Sequence, residues 1–544
     1  MLPVKLISLV QRSHSHHTFK MTYCKLKFYN YKPERHCSGQ EVKHKSSLYA
    51  KVESKGDQMN VPVELDLDFK RLEVKDQLKS ELSSRNITDV DVDKLQRDYN
   101  SLINLNNRRI ELERQKDLEI TSNVTQLVQK KVITSDPDEI KDIDKTLKEL
   151  QNQGKIIKKE LKQLLPALRD IEETVMLEAL QLPNRTHAIT PISQDRIEDS
   201  HRTEDLPTNT ISHITIGEMF DLIKLSSIGY KAYYLKDSLA LLEQALVCFF
   251  RDRMCQEGFT QMACPEFFKN LVVEGCGMDP DNPQEVLKLQ SKPGDTSASF
   301  LNGVSIMSFV AYLTKCKITA SSIPLKYFTC GRSYTPGKYE IAGQYNTSSI
   351  PLKYFTCGRS YTPGKYEIAG QYNTSSIPLK YFTCGRSYTP GKTDDLPGLF
   401  GVTQSVKVNS FTLCSSQEDA EKLLLETRRY LWDVYREIGP PCRLVTVAAT
   451  KLHKSEELRM EIKMWARSVQ QYIKVASVSM VSDYISRRLM IRQGENTLPV
   501  YMVHSEALDV TRLISILMEY GTIHKDTYTL PNLEFLENYW IQPK

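Results

Sequence analysis

The sequence has no apolar run of about 18 residues, the length that a membrane-spanning helix needs, so we predict no membrane span. It has no C-x-x-C pair among its 12 cysteines, which argues against a zinc ribbon or a thioredoxin-like site and favours reduced thiols. The net charge of +5 on 544 residues is too small to indicate a nucleic-acid partner by itself. The length suits two or three domains rather than one.

Acidic residues are absent before Glu34, whereas basic residues are spread through that segment. A basic, Ser-bearing and acid-poor beginning is typical of a mitochondrial transit peptide. We therefore predict a leader or disordered tail at 1–50 and a location in the mitochondrial matrix. A basic tail without a targeting role is the alternative. The basic residues are Lys5, Arg12, Lys20, Lys25, Lys27 and Lys32.

An exact repeat of 27 residues occupies 321–347 and 348–374, and a partial third copy occupies 375–392. Repeats in solenoids diverge because end units and binding faces need different residues. Identical copies indicate a recent tandem duplication or an assembly error instead, with a functional array as the alternative. One copy has the alternation of a strand, and residues 399–411 predict a second strand that pairs with it. The sequence does not decide which copy joins the fold.

A long helical arm is predicted at 64–182. A first helical region covers 92–131, and a second begins at Asp136, where Asp-Pro-Asp-Glu supplies an N-cap and a proline at the first helical position. The apolar positions of the second helix follow a heptad seam, with Gly154 at the skipped position and Pro166 as a predicted kink. Two such helices form an antiparallel coiled-coil hairpin of roughly 60 Å. The seam residues are Leu147, Leu150, Ile157, Leu161, Leu164, Leu168, Ile171 and Val175.

Lysines gather on this arm and are candidates for contact with RNA phosphates, by charge rather than by base readout. A solvated face balanced by acids is the alternative. The candidates are Lys130, Lys131, Lys155, Lys158, Lys159 and Lys162.

Motifs along the chain resemble, in order, those of class II aminoacyl-tRNA synthetases, and specifically seryl-tRNA synthetases. They comprise the arm exit Leu182-Pro183-Asn184, the motif 1 helix and strand at 241–265, motif 2 around 384–404, and motif 3 at 507–512. The resemblance implies an α+β fold, with an antiparallel sheet flanked by helices at 215–544 after a linker at 183–214. It also implies binding of serine tRNA and a dimer formed through motif 1. The implied interface residues are Leu242, Leu246, Phe249 and Pro265.

The residues that carry the family's chemistry are largely replaced. Val304 and Ile306 align with a Thr-x-Glu that grips the serine amine, and Tyr388 and Asn409 align with motif 2 glutamates. Lys474 aligns with a magnesium ligand, where a lysine about 4 Å from the ion would repel it by roughly 8 kcal/mol. Met480 aligns with an asparagine beside serine. Arg386 and Arg512 match the family and mark a vestigial nucleotide pocket, or else are retained structural arginines.

These losses predict a pseudoenzyme with no metal and no cofactor, similar to a non-ligating paralogue of the mitochondrial enzyme. Such a protein would bind tRNA and associate with mitochondrial seryl-tRNA synthetase or with itself. One alternative is an active, divergent serine–tRNA ligase that uses ATP. Another is a structural subunit that touches no RNA.

Overall fold

The computed structural model describes residues 46–49, 65–134, 136–204, 206–207, 211–226, 232–289, 299–334, 386–387, 396–402, 404–494 and 498–539. Most of the predicted leader, residues 335–347 of the first repeat copy, the whole second copy, most of the third copy, and Tyr388 lie outside these residues. No helix in the described ranges is long and apolar enough to cross a bilayer.

Part of the segment assigned to the leader packs on the body of the protein. Ser46 Oγ donates to Glu274 Oε2 at 2.5 Å, and the amides of Ser47 and Leu48 donate to the same carboxylate. Leu48 is 2% exposed and belongs to an apolar cluster of the body. Ser46–Tyr49 therefore belong to the folded structure, and a leader cleaved before them stays a prediction.

The arm is a helical hairpin. Its elements are a 3₁₀ helix at Phe69–Val74, α1 at Lys75–Ser84, α2 at Val92–Arg114, a π-helical turn at Gln115–Thr121, α3 at Ser122–Ile133 and α4 at Pro137–Leu180. Asp136 caps α4 by accepting from the Asp138 amide, which confirms the predicted start, and α4 runs through Pro166 without interruption. Its 44 residues correspond to about 66 Å.

The heptad seam of α4 faces α2. Val175 is fully buried and Leu147 and Leu168 are buried, while the other five seam residues are half-buried. Gly154 lies against the π-helical turn, where a Cβ would meet Ile120 Cγ2 at 3.6 Å. The skipped position of the seam therefore coincides with the one irregular turn of the opposite helix.

The body contains seven further helices in its described part. They are α5 His213–Met219, α6 Ser238–Gln256, α7 Asn270–Gly275, α8 Ile306–Leu313, α9 Gln417–Ile438, α10 Tyr484–Leu489 and α11 Val510–Glu519. Short 3₁₀ helices occur at Ala320–Ser322, Gly398–Gly401, Ala449–Lys451 and Glu534–Leu536.

The strands of the body form one large sheet and several small ones. In chain order they are β1 Arg196–His201, β2 Ile223–Leu225, β3 Tyr233–Leu235, β4 Thr260–Gln261, β5 Phe267–Lys269, β6 Leu287–Lys288, β7 Ser299–Leu301, β8 Lys317–Ile318, β9 Leu325–Tyr334, β10 Arg386–Ser387, β11 Gln404–Cys414, β12 Cys442–Thr446, β13 Leu458–Ala466, β14 Gln471–Ser482, β15 Arg492–Gln493, β16 Leu498–Pro499, β17 Tyr501–Asp509, β18 Thr522–His524 and β19 Thr527–Thr529.

The large sheet has the order β1-β12-β13-β14-β17-β11-β10-β9-β4, and its long strands β11 to β14 and β17 pair antiparallel. One face is covered by α6, α9 and α11, whose apolar side chains form the main core with the strands. A second core joins α7, α8 and α10 to the strand ends. The α+β prediction is confirmed.

The predicted linker is corrected at Arg196–His201, because β1 pairs with β12 as an edge strand.

The long strand built from the repeat comes from its first copy. β9 pairs antiparallel with β11 over ten residue pairs, from Leu325 opposite Leu413 to Tyr334 opposite Gln404. Cys330 of this copy is fully buried in the main core. Of the third copy, the structure describes the backbone of Arg386–Ser387, which forms β10 beside β11. The strand pair expected from the repeat and residues 399–411 is therefore present.

Candidate active-site face of the sheet

Charged side chains from β11, β14, β17 and α11 meet on one face of the large sheet. Glu506 lies between two lysines, with Lys407 Nζ 2.9 Å from Oε2 and Lys474 Nζ 3.3 Å from Oε1. Burial alone would raise the pKa of Glu506, but the two ammonium groups outweigh it and hold that pKa well below its usual range. Asp509 Oδ2 extends the set and lies 3.8 Å from Lys407 Nζ.

Arg512 at the start of α11 is held by main-chain and side-chain acceptors. Its Nε donates to the Phe400 carbonyl at 3.2 Å, and its Nη1 donates to the Lys474 carbonyl at 3.1 Å. Its Nε also lies 3.6 Å from Asp509 Oδ2. The guanidinium is therefore already tied to three segments of the body.

A second row of alternating charges follows β13 on this face. Arg459 Nη1 lies 2.9 Å from Glu456 Oε2, and Arg459 Nε lies 3.1 Å from Glu461 Oε1. Lys463 Nζ continues the row, 3.3 Å from Glu461 Oε2 and 3.1 Å from Asp195 Oδ2. Burial opposes the charge of Glu461, yet Arg459 and then Lys474 keep the pKa of that carboxyl below its ordinary value. Cations and carboxylates thus neutralise each other across the face.

Two of the substituted positions come together at the edge of this face. Asn409 Nδ2 donates to the Val304 carbonyl at 3.1 Å, and both residues are buried. Ile306 opens α8 behind the N-cap Ser305 and packs against the second core. Aliphatic side chains therefore occupy the positions where the family resemblance implies serine-binding groups.

Met480 is not on this face, which corrects its predicted place beside the substrate site. A bulge in β14 puts Lys463 opposite Lys474 but Ile462 opposite Ala476, so Val475 is an extra residue. A one-residue insertion reverses the faces of all later side chains. Ser477 and Ser479 therefore join Lys474 on the charged face, while Met480 is fully buried in the main core.

Arg386 belongs to β10, but its side chain lies outside the described residues, as does the whole of Tyr388. The pairing of Arg386 with Arg512 as a nucleotide pocket therefore remains a prediction. In the part of the chain that the structure describes, no cluster of three His, Cys, Asp or Glu side chains has the arrangement of a metal site.

The predicted RNA-binding lysines of α4 form one exposed stripe. Lys155, Lys158, Lys159 and Lys162 follow the i, i+3, i+4, i+7 spacing of a single helical face, and all four are exposed. The neighbouring Glu160 is engaged by Arg108 of α2, with Nη2 2.6 Å from Oε1. The other two candidates, Lys130 and Lys131, lie in the last turn of α3, and Lys131 contacts Asp144 of α4.

Three of the four predicted interface residues are core residues of the single chain. Leu242, Leu246 and Phe249 are buried on the inner face of α6, so direct contact with a partner is wrong for them. Helical spacing of apolar residues indicates a buried face but not which surface buries it. Pro265 is exposed, so its place at an interface stays a prediction, and Leu241 on the outer face of α6 is exposed as well.

The charged rows were not predicted, although the sequence carries a signal for them. Charged residues alternate with apolar ones from Leu458 to Met464, which places Arg459, Glu461 and Lys463 on one face of β13. The period shows that they share a face, but it does not show which carboxylate meets which cation.

The fold is that of class II synthetases. Among solved structures, that of seryl-tRNA synthetase from Pyrococcus horikoshii complexed with ATP superposes with a TM-score of 0.66 and 18% identity, covering 87% of this chain and 98% of that one. Cytoplasmic serine–tRNA ligase from Naegleria fowleri gives a TM-score of 0.64 and 16% identity, with the same coverage. A family profile described as tRNA synthetase class II core domain (G, H, P, S and T) matches residues 352–520.

Within the class II synthetases, the most similar sequences include seryl-tRNA synthetases and a synthetase-like protein. The serine–tRNA synthetase-like protein Slimp of Drosophila melanogaster is 23% identical over 392 residues, covering 71% of this chain and 72% of that protein. Mitochondrial serine–tRNA ligase of Bos taurus is 26% identical over 414 residues, covering 73% and 68%. The chain is therefore similar to seryl-tRNA synthetases and to a synthetase-like relative, which confirms the resemblance drawn from its motifs.

Proposed function

We propose that this chain is a non-ligating mitochondrial protein that binds serine tRNA through its arm and pairs with mitochondrial seryl-tRNA synthetase or with a second copy of itself. The observation that carries the loss of ligation is the ion pair between Lys474 and Glu506. The aligned position in the family supplies a carboxylate to magnesium. This chain places the ammonium group of Lys474 there instead, and the carboxylate of Glu506 balances its charge.

Activation of serine would require this face to accept ATP and a divalent cation. Glu506 already balances two ammonium groups, so a cation would have to displace Lys407 and Lys474 to reach its oxygens. Arg512 would have to leave two carbonyls before it could bind a phosphate. Each exchange gives up charge-assisted interactions in a partly buried site, where such interactions are stronger than in water.

Serine-dependent exchange between ATP and pyrophosphate tests this directly. Purified full-length protein is compared with a conventional seryl-tRNA synthetase, with and without serine. We expect exchange at the background level from protein that gives a cooperative melting transition. Exchange that rises with serine would overturn the proposal and favour the divergent ligase. In that case Arg512, at its family position, would bind a phosphate of ATP.

The lysine stripe of α4 supports tRNA binding. Its exposed ammonium groups lie on one face, and the described residues supply no ion-pair partner to Lys158, Lys159 or Lys162. Such a stripe gains affinity by releasing counterions from RNA phosphates, so binding weakens as salt rises.

Charge reversal of these three lysines to glutamate should weaken tRNA binding and lower the salt slope by about 1 for each lysine that meets a phosphate in the parent protein. The matched control reverses three exposed lysines of the body and should leave both quantities unchanged. An unchanged slope in the arm variant would remove the stripe from the binding site and favour the purely structural subunit. The control lysines are Lys224, Lys422 and Lys525.

An exposed apolar surface beside motif 1 supports a partner. Leu241 on the outer face of α6 is 51% exposed, and further apolar side chains are exposed on α5 and on the β2–β3 hairpin. Leu241→Glu should lower the oligomeric mass in multi-angle light scattering, or release mitochondrial seryl-tRNA synthetase mixed with the protein. Ile192→Glu, at an exposed apolar position of the 183–214 segment, is the matched control. The further residues are Met219, Leu225 and Tyr234.

Import into isolated mitochondria tests the location. Ser46 and Leu48 contact the body, so processing should leave them in the mature protein. Mass spectrometry of the imported protein should find its first residue at or before Ser46. A mature chain that begins after Tyr49 would contradict this.

A further inference from the structure

Arg85 lies at the root of the arm, directly after α1, and is 6% exposed. Its Nε donates to Thr186 Oγ1 at 2.9 Å, and its Nη2 donates to the Arg185 carbonyl at 2.8 Å. Both acceptors belong to the segment by which the chain leaves α4. The guanidinium thus joins the first and the last parts of the arm.

The same guanidinium also reaches the body. Its Nη2 donates to the Glu456 carbonyl at 2.7 Å, and its Nη1 donates to the His453 carbonyl at 3.3 Å. One planar group therefore joins its own segment to two others, and three of its four acceptors are main-chain oxygens, which no side-chain substitution would remove. Burial lowers the pKa of Arg85 to about 10, which still leaves the group charged at neutral pH.

The two ion pairs at the arm root are of a different kind. Arg185 pairs with Asp68, and Arg487 lies 3.1 Å from Asp66, but these groups are partly or largely exposed. Exposed ion pairs hold geometry weakly because water and salt compete for both partners. A buried arginine with a fixed fork of donors constrains direction far more strongly.

The body loop that Arg85 binds also anchors the charged face. Glu456 gives its carbonyl to Arg85, while its carboxylate accepts from Ser479 Oγ at 2.7 Å and pairs with Arg459. Asn184 of the arm exit ties the same loop by donating to the Ser455 carbonyl at 2.9 Å. The arm root and the charged face therefore share residues 453–456.

We propose that Arg85 is a positioning residue that fixes the direction of the arm relative to the body. The inference about direction stands without RNA, and its consequence for tRNA rests on the proposed function. An RNA that touches both arm and body gains from a rigid connection, because the second contact then forms at high effective concentration. An RNA that touches only the arm gains nothing from it.

Distances between arm and body test the first part. Ketone-bearing amino acids at exposed Gln163 and Glu418 take spin labels without touching the native thiols. We expect a narrow distance distribution in the parent protein and a broader, shifted one in Arg85→Met, with partial recovery in Arg85→Lys. Arg108→Met, which removes an ion pair within the arm alone, should leave the distribution unchanged. An unchanged distribution in a folded Arg85→Met protein would overturn the proposal.

Two RNAs test the second part. Arg85→Met should bind full-length serine tRNA about tenfold more weakly if the arm points correctly in about one tenth of molecules. A short RNA hairpin that reaches only the arm should bind both proteins equally. Equal weakening of both RNAs would indicate general damage and contradict a positioning role. If neither RNA binds the parent protein, the proposed function fails, while the distance measurement still decides the role of Arg85.

Discussion

Glu457 offers a stringent test of the electrostatics at the junction of arm and body. It precedes β13, is 3% exposed, and its main chain bonds to the arm exit through the His187 amide. Burial raises the pKa of its carboxyl to about 7, with a further contribution from Asp483, against the opposing charges of Arg185 and Arg85. The carboxyl is therefore protonated in the folded protein at pH values where the unfolded chain has lost the proton.

The size of the effect follows from the two pKa values. The folded value of about 7 lies 2.5 units above the ordinary 4.5, which corresponds to about 3 kcal/mol. The contribution of Glu457 to stability is fully present below pH about 4.5, falls as the pH rises towards 7, and stays level above that. Glu457→Gln keeps the shape of the protonated carboxyl but cannot ionise.

Urea unfolding of the parent and Glu457→Gln proteins between pH 5 and 8 measures this. The variant should be more stable than the parent by about 1 kcal/mol at pH 5 and by about 3 kcal/mol at pH 8. Glu426→Gln, an exposed carboxylate on α9, should show no such trend. A difference between parent and Glu457→Gln that does not change with pH would refute the reasoning.

Four further outcomes follow from the packing. Lys474→Glu should lower the free energy of unfolding by about 2 kcal/mol, because it places a second carboxylate beside Glu506; an unchanged melting temperature would contradict the ion pair. Leu242→Ala should cost about 2 to 5 kcal/mol of stability in thermal melts, without changing the oligomeric mass of the folded protein. Leu48→Ala should speed proteolysis around Ser46–Tyr49, which pack on the body, while the melting temperature of the body changes little. Deletion of 348–374 should leave the melting temperature equal or higher, since β9 uses the first copy, and a large loss would show that the array is structural.

Helical periodicity predicted the arm well, because an antiparallel pair buries residues at a fixed spacing. The cap at Asp136 and the seam ending at Val175 both agree with the structure. β1 was missed because all but the last of its residues are exposed, so this edge strand shows no apolar alternation. No local pattern marks the π-helical turn at Gln115–Thr121.

The candidate site was predicted only where the motifs give the register. Lys474 lies on the charged face, but the bulge at Val475 places Met480 on the opposite face, and the residues of β14 carry no pattern that marks this bulge. Arg85 carries no motif at all. Its partners are mostly main-chain oxygens, which any sequence would supply, and only the folded structure shows that they meet.

The π-helical turn at Gln115–Thr121 bears on how the arm changes length in evolution. A wide turn holds one residue more than an α-turn, so it can absorb an insertion in α2–α3 without moving the packing on either side. Gly154 leaves space opposite that turn. An arm with this turn can gain or lose a residue there while α2 and α3 keep their packing on α4 at the root and at the tip. Lineages that carry this turn should therefore tolerate single-residue insertions and deletions at 115–121 better than within the packed parts of α2 and α4.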